Sequence, residues 1–228
     1  FKEKIENYSK NKKNLYDQKT KVIKNILSSD HIEKKTKKET TLLGTLMLIK
    51  RSFRNHLARF VKDKAKFSQT QPLLITIKYL LNAYKIQKYI NKHSIKKLSK
   101  KNCNNAIFIP LQQVPESSTI GLSHLHDQQN FILEAALSIP ANYKIFVKEH
   151  IYGLGGRTTS FYKFIKDLPN VEFIHNHIPG EFLIKNCEAV ITLSSSAAYE
   201  ASLMGKPVLT FEISPHIKYL SHVMCCDK

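Results

Sequence analysis

From residue 106 onward, short apolar runs alternate with segments whose apolar residues recur at helical spacing. Ala106–Pro110, Tyr143–Glu149, Val171–Ile174, Ala189–Leu193 and Pro207–Phe211 have the length and apolar content of buried strands. Between them, Gln128–Leu137, Ser160–Lys166, Glu181–Asn186 and Ala197–Met204 read as helices. In the first of these, Phe131, Ile132, Ala135 and Ala136 share a face; Pro169 follows the second, and Gly205 stops the last. Five β units alternating with helices predict an α/β fold, a Rossmann-like doubly wound parallel sheet. In such sheets ligands bind at the carboxyl ends of the strands, which is where chemistry is sought.

Residues 1–104 have a different texture. Ile5, Tyr8, Leu15, Val22, Ile23, Ile26 and Leu27 recur loosely at helical spacing, and a Lys-rich break follows at Glu33–Lys38. In Leu42–Val61, residues Leu43, Leu46, Met47, Ile49, Phe53, Leu57 and Phe60 lie near the i, i+3, i+4 pattern. Pro72 opens a further helix over Leu73–Ile90, and the polar, basic run His93–Asn105 reads as a linker. The expected organisation is a basic, mainly helical segment or linker over 1–104 and a Rossmann-like domain over 105–228. The chain starts at Phe1 and stops at Asp227-Lys228, and it reads as a piece of a longer protein.

Charge sharpens that division. The formal net charge of +18 is carried by the first part: residues 1–105 hold 27 Lys and Arg against 7 Asp and Glu, residues 106–228 hold 9 against 11. Such asymmetry marks a surface that meets polyanions, with nucleic acid, anionic lipid and anionic polysaccharide as candidates, or else a solvated helix face. Tyr8, Tyr16, Tyr79, Tyr84 and Tyr89 fall mostly with apolar positions rather than as a stacking platform, which disfavours nucleic acid. Cys103, Cys187, Cys225 and Cys226 form no C-x-x-C pair and read as reduced thiols of a cytoplasmic protein. The longest apolar run, Leu42–Ile49, is far short of the ~20 residues that cross a bilayer.

Four strand ends carry candidate chemistry. The first leads into Pro110-Leu111-Gln112-Gln113-Val114-Pro115-Glu116-Ser117-Ser118-Thr119, a shaped loop in which Glu116 is either an acid or base on a sugar or a solvated cap. The second ends in Val147-Lys148-Glu149-His150; alternation sets Lys148 and His150 on one face, as donors to a phosphate or carboxylate, and Glu149 on the other. The Gly153-Leu154-Gly155-Gly156-Arg157 run after it lacks the dinucleotide fingerprint and reads as a flexible loop. His175 and His177, after the third strand, read as surface polar residues. The fourth strand gives the best local signal: Thr192-Leu193-Ser194-Ser195-Ser196-Ala197-Ala198-Tyr199-Glu200 runs from strand through a small hydroxyl turn into a helix. Amides at a helix start bind anions, and Glu200 lies one turn from Ser196 on the same face, placed to take both hydroxyls of a ribose.

Three of these stretches, in this order, resemble the capsule polysaccharide biosynthesis family, whose members include transferases of Kdo from CMP-Kdo. They are Phe108-Ile109-Pro110-Leu111-Gln112-Gln113-Val114-Pro115-Glu116, then Val147-Lys148-Glu149-His150, then Ser194 to Glu200 followed by Gly205-Lys206-Pro207. The family's Pro after His is Ile151 here, and its Trp before Glu is Tyr199. The resemblance covers roughly Asn105–Phe211. It implies the C-terminal half of a GT-B-type glycosyltransferase that needs neither metal nor other cofactor. Together with the strand-end chemistry above, it sets the expectation that His150 and Glu116 are catalytic and that Gln112, Lys148, Ser194, Ser195, Ser196 and Glu200 bind substrate. A CMP-sugar would be the donor and a lipid-linked or polysaccharide chain the acceptor. The basic helices would attach the enzyme peripherally at the inner face of the cytoplasmic membrane. The competing expectations are a CDP-glycerol-type glycerophosphotransferase, an inactive family member that scaffolds an assembly, and a basic nucleic-acid-binding protein.

Overall fold

The computed structural model describes residues 42–62, 73–113, 127–150, 153–154, 156–211 and 222–225. Two helices come first, α1 (Leu42–Lys62) and α2 (Leu73–His93). Then follow β1 (Ala106–Pro110), α3 (Gln128–Ser138), β2 (Lys144–Lys148), α4 (Thr159–Lys166), β3 (Val171–Ile174), α5 (Gly180–Asn186), β4 (Ala189–Thr192), α6 (Ser196–Leu203), β5 (Val208–Thr210) and β6 (Val223–Cys225). Helices α3 and α4 begin where short polar side chains cap them: Asp127 accepts from the amides of Gln129 and Asn130 ahead of α3, and Thr158 from that of Phe161 in α4.

All strands pair in parallel, in the order β3-β2-β1-β4-β5-β6. The pleat sorts their side chains into two layers. Ile109, Ile145, Val147, Val171, Phe173 and Ile191 pack on one face with Ile86 and Ile90 of α2, Phe131 and Ile132 of α3 and Tyr162 of α4. Ala106, Phe108, Phe146, Ile174 and Val190 pack on the other with Leu183 and Ile184 of α5 and Ala198 and Ala201 of α6. Strands buried on both faces read as continuous apolar runs rather than alternations, as these do. The sheet is the Rossmann-like, doubly wound parallel sheet that the alternation predicts.

Two features go beyond the sequence reading. A sixth strand, Val223–Cys225, lies beside β5 with Leu209 opposite Met224; three residues give no periodicity to read, and the pairing alone defines them. The stretch read as a linker is also packed. Ile95 donates to the Phe173 carbonyl at 2.8 Å and accepts from the His175 amide at 3.0 Å, extending the sheet past β3, and Lys100–Cys103 forms a 3-10 turn with Cys103 buried. Its basic side chains hid the apolar residues, Ile95, Leu98 and Cys103, that tie it to the core.

Candidate functional site

Strand order sets the location. Neighbouring β1 and β4 send their connections to opposite sides of the sheet, so a crevice opens between their carboxyl ends, where ligands of doubly wound sheets sit. Gln112, two residues beyond β1, and Ser194, two beyond β4, are buried to 4% exposure, and the Gln112 Nε2 donates to the Ser194 Oγ at 3.2 Å. Ser195 is the N-cap of α6, its hydroxyl accepting from the Ala197 amide at 3.2 Å. Ser196 is exposed and Glu200 half-buried one turn further on. The Thr192 hydroxyl, at the end of β4, is buried and has no hydrogen-bond partner. The crevice is thus bridged at its floor by an amide and a hydroxyl. Its rim is a helix start with first-turn amides and small side chains, which suits an anionic group.

The exit of β2 is built differently. Lys148 is half-buried and His150 exposed, while Glu149 points inward at 1% exposure, the alternation expected of a strand end. The Glu149 carboxylate meets the Arg157 guanidinium at 2.7 Å, accepts the His150 amide at 2.8 Å, and accepts the Tyr162 hydroxyl. Burial pushes the Glu149 carboxyl up, and the Arg157 charge, the Tyr162 hydroxyl and the His150 amide pull against that. Burial and the Glu149 charge together drive the Tyr162 phenol far above its ordinary value, so it stays a proton donor. Arg157 also donates to the Gln112 carbonyl and, at 2.7 Å, to Gln128 Oε1. Its guanidinium lies 5.1 Å from the Phe161 ring centre.

The sequence reading passed over Arg157 because it follows a glycine run. Far from solvent, it is buried to 6% exposure. An arginine closing a Gly-rich turn ahead of a helix with inward-facing aromatics was the available signal. Gly153 has a steric reason of its own: a Cβ there would come within 2.5 Å of Glu149 Oε1 and 3.1 Å of Arg157 Nη1. His175 and His177 are half-buried polar residues with defined partners. His175 Nε2 bonds Asn91 Oδ1 of α2, and His177 Nε2 bonds the Lys96 carbonyl, both at 2.7 Å, while the two rings bond each other through Nδ1. They join β3 to the segment packed along it.

Glu116 lies outside the described residues. Lys148 and His150 stand at the β2 exit, two strands from β4 in the sheet. Cys103 and Cys187 are buried thiols, and burial pushes both up. Among the described residues no three His, Cys, Asp or Glu side chains gather at metal-binding distance. Nor is any described helix long and apolar enough to cross a membrane.

The sequence model of a family described as capsule polysaccharide biosynthesis protein matches residues 10–214. Among solved structures, the chain is similar to Thermosulfurimonas dismutans KpsC, beta Kdo 2,4 transferase, at 21% identity and a TM-score of 0.41 over 63% of this chain and 46% of that one. It is similar to the beta Kdo 2,7 transferase of the same organism's KpsC at 19% identity and a TM-score of 0.37, over 59% and 41%. A third similarity is to UDP-GlcNAc 2-epimerase from Methanocaldococcus jannaschii, at 14% identity and a TM-score of 0.41, over 67% and 42%. The chain spans less than half the length of each of these structures. No curated protein matches it.

Proposed function

The chain belongs to the capsule polysaccharide biosynthesis protein family, and from that premise we propose a glycosyltransferase that moves an acidic sugar, Kdo or one like it, from a CMP-sugar to a capsular polysaccharide or glycolipid. In this reading residues 105–228 are the donor-binding half of a GT-B-type fold. The observation that carries it is the Gln112–Ser194 hydrogen bond across the β1–β4 crevice, beside a serine turn that opens α6. Phosphate sits on Ser194, Ser195, Ser196 and the first-turn amides, and the ribose hydroxyls bond Glu200. Developing charge on the departing CMP is met by the helix start and hydroxyl donors, with no metal required. Lys148 and His150 supply donors to the phosphate or the sugar carboxylate, Gln112 holds the sugar side, and Glu116 and His150 act as acid or base on the reacting oxygens.

Calorimetry of the chain with CMP in EDTA tests the donor site: binding is expected without divalent metal. Binding only when magnesium is present, or none, defeats it. CDP-glycerol offered against CMP-Kdo, with product analysis, separates sugar transfer from glycerophosphate transfer.

The acceptor is lipid-linked in this reading, and attachment to the inner face of the membrane is peripheral. Supporting it, α1 exposes Leu46, Met47, Phe53 and Leu57 beside Lys50, Arg51 and Arg54. Apolar side chains dip into the headgroup layer while each cation near it contributes about 1 kcal/mol. The chain should co-sediment with anionic liposomes at low salt and release at high salt. Sedimentation indifferent to lipid charge and salt would count against attachment by these helices. Nucleic acid is not a partner in this reading.

A further inference from the structure

We propose that Arg157 is a positioning residue for the β1–β4 crevice, setting the Gln112 amide against Ser194 through a clamp on the Gln112 backbone. The proposal rests on the reading of that crevice as the donor site.

Gln112 is held from both sides. Its amide donates to Gln128 Oε1 at 3.0 Å, and its carbonyl accepts from Arg157 Nη2 and, at 3.5 Å, from Gln128 Nε2. The same Nη2 donates to Gln128 Oε1 at 2.7 Å, and Nη1 donates to Glu149 Oε1 at 2.7 Å. One guanidinium therefore ties together the exit of β1, the exit of β2 and the first residue of α3. A planar fork with fixed donor directions can do this; an ammonium, a point charge on a flexible stem, cannot hold both arms. Arg157 is itself fixed, its carbonyl accepting from Asn82 Nδ2 of α2 at 2.6 Å and its side chain lying against Phe161.

A buried ion pair is a poor device for stability alone. Desolvation of two charges offsets much of their attraction, and a well-packed apolar pair of the same volume often does as well. What an apolar pair cannot do is orient a backbone carbonyl. The clamp directs Gln112 across the crevice to Ser194, so the guanidinium sets where the Gln112 side chain stands at the point the ligand enters. It acts through Gln112 and touches no substrate.

Arg157→Lys keeps the charge and removes the second arm. Two readouts are taken on the 228-residue chain: the position of the Gln112 side-chain amide signal by nitrogen-15 NMR, and CMP affinity by calorimetry. A displaced Gln112 signal and an affinity lowered about tenfold, the loss expected for roughly one hydrogen bond of this type, are the expected results. Should Arg157→Lys fail to fold, Gly153→Ala is measured instead. Its methyl presses on the Glu149–Arg157 pair while every clamp residue remains, and the same shifts are expected at smaller size. A fall in melting temperature with both readouts unchanged overturns the proposal, since a purely structural arginine would behave that way. Absence of CMP binding by the unaltered chain would sink the donor reading alone; the Gln112 signal would then decide the clamp by itself.

Discussion

The exits of β2 and β4 lie at the same, carboxyl end of the sheet and solve opposite problems. At β2 the polar groups turn inward, and Glu149, Arg157 and Tyr162 satisfy one another with almost no solvent contact. At β4 the groups are small hydroxyls, graded from buried Ser194 to exposed Ser196, with the Thr192 hydroxyl left without a partner. A closed network resists change and fixes geometry. An open row of donors at a helix start leaves room for a ligand to complete it. The comparison teaches that the buried charges at the β2 exit brace the scaffold, while the turn after β4 presents small hydroxyls and backbone amides.

The largest effect should come from breaking the brace. Arg157→Met leaves Glu149 buried without its counter-charge, and urea unfolding should show a loss of about 3–5 kcal/mol. Retention of full stability would mean that the β2 exit is as open as the β4 exit.

Glu200→Gln should do the reverse. It preserves shape, so little change in melting temperature is expected; in the proposed donor site it removes a charge-assisted partner of the ribose worth roughly 1.5–3 kcal/mol, so CMP affinity should fall about 10- to 150-fold. A fall in stability with affinity intact would make Glu200 a structural residue rather than a ribose ligand.

The smallest change falls between the two. Ser195→Ala removes the N-cap of α6, and helix caps of this kind are worth about 1 kcal/mol. Both urea midpoint and CMP affinity should drop modestly, because the same hydroxyl caps the helix and lines the turn. A drop in stability alone would make Ser195 a cap and nothing more.

Much of this architecture was legible in the chain. The apolar runs at Ala106–Pro110 and Ala189–Leu193 are strands because buried parallel strands carry apolar residues on both faces. The serine turn was readable because hydroxyl caps and a following apolar helix are local chemistry. Glu149 was correctly turned away from Lys148 and His150, since alternation is also local. Arg157 was not readable as a core residue: its glycine surroundings suggested mobility, and only its partners reveal the burial. The partners of the polar residues His175 and His177 were not readable either, since Asn91 and the Lys96 carbonyl lie in segments the sequence places far away.

Local order, then, was determined by the sequence alone: that the apolar runs of β1 to β5 are strands, that Glu149 faces away from Lys148 and His150, where the helices between them start, and that the cationic excess belongs to the first part of the chain. The tertiary structure alone decided the pairings. Gln112 reaches Ser194 across 82 residues of chain, and Arg157 reaches the Gln112 carbonyl across 45. The first separation closes because β1 and β4 become neighbours in the sheet and the second because β1 and β2 do, and no periodicity along the chain records which strands will stand side by side. A side chain's chemistry is written in its own position; its partner is chosen by strand order.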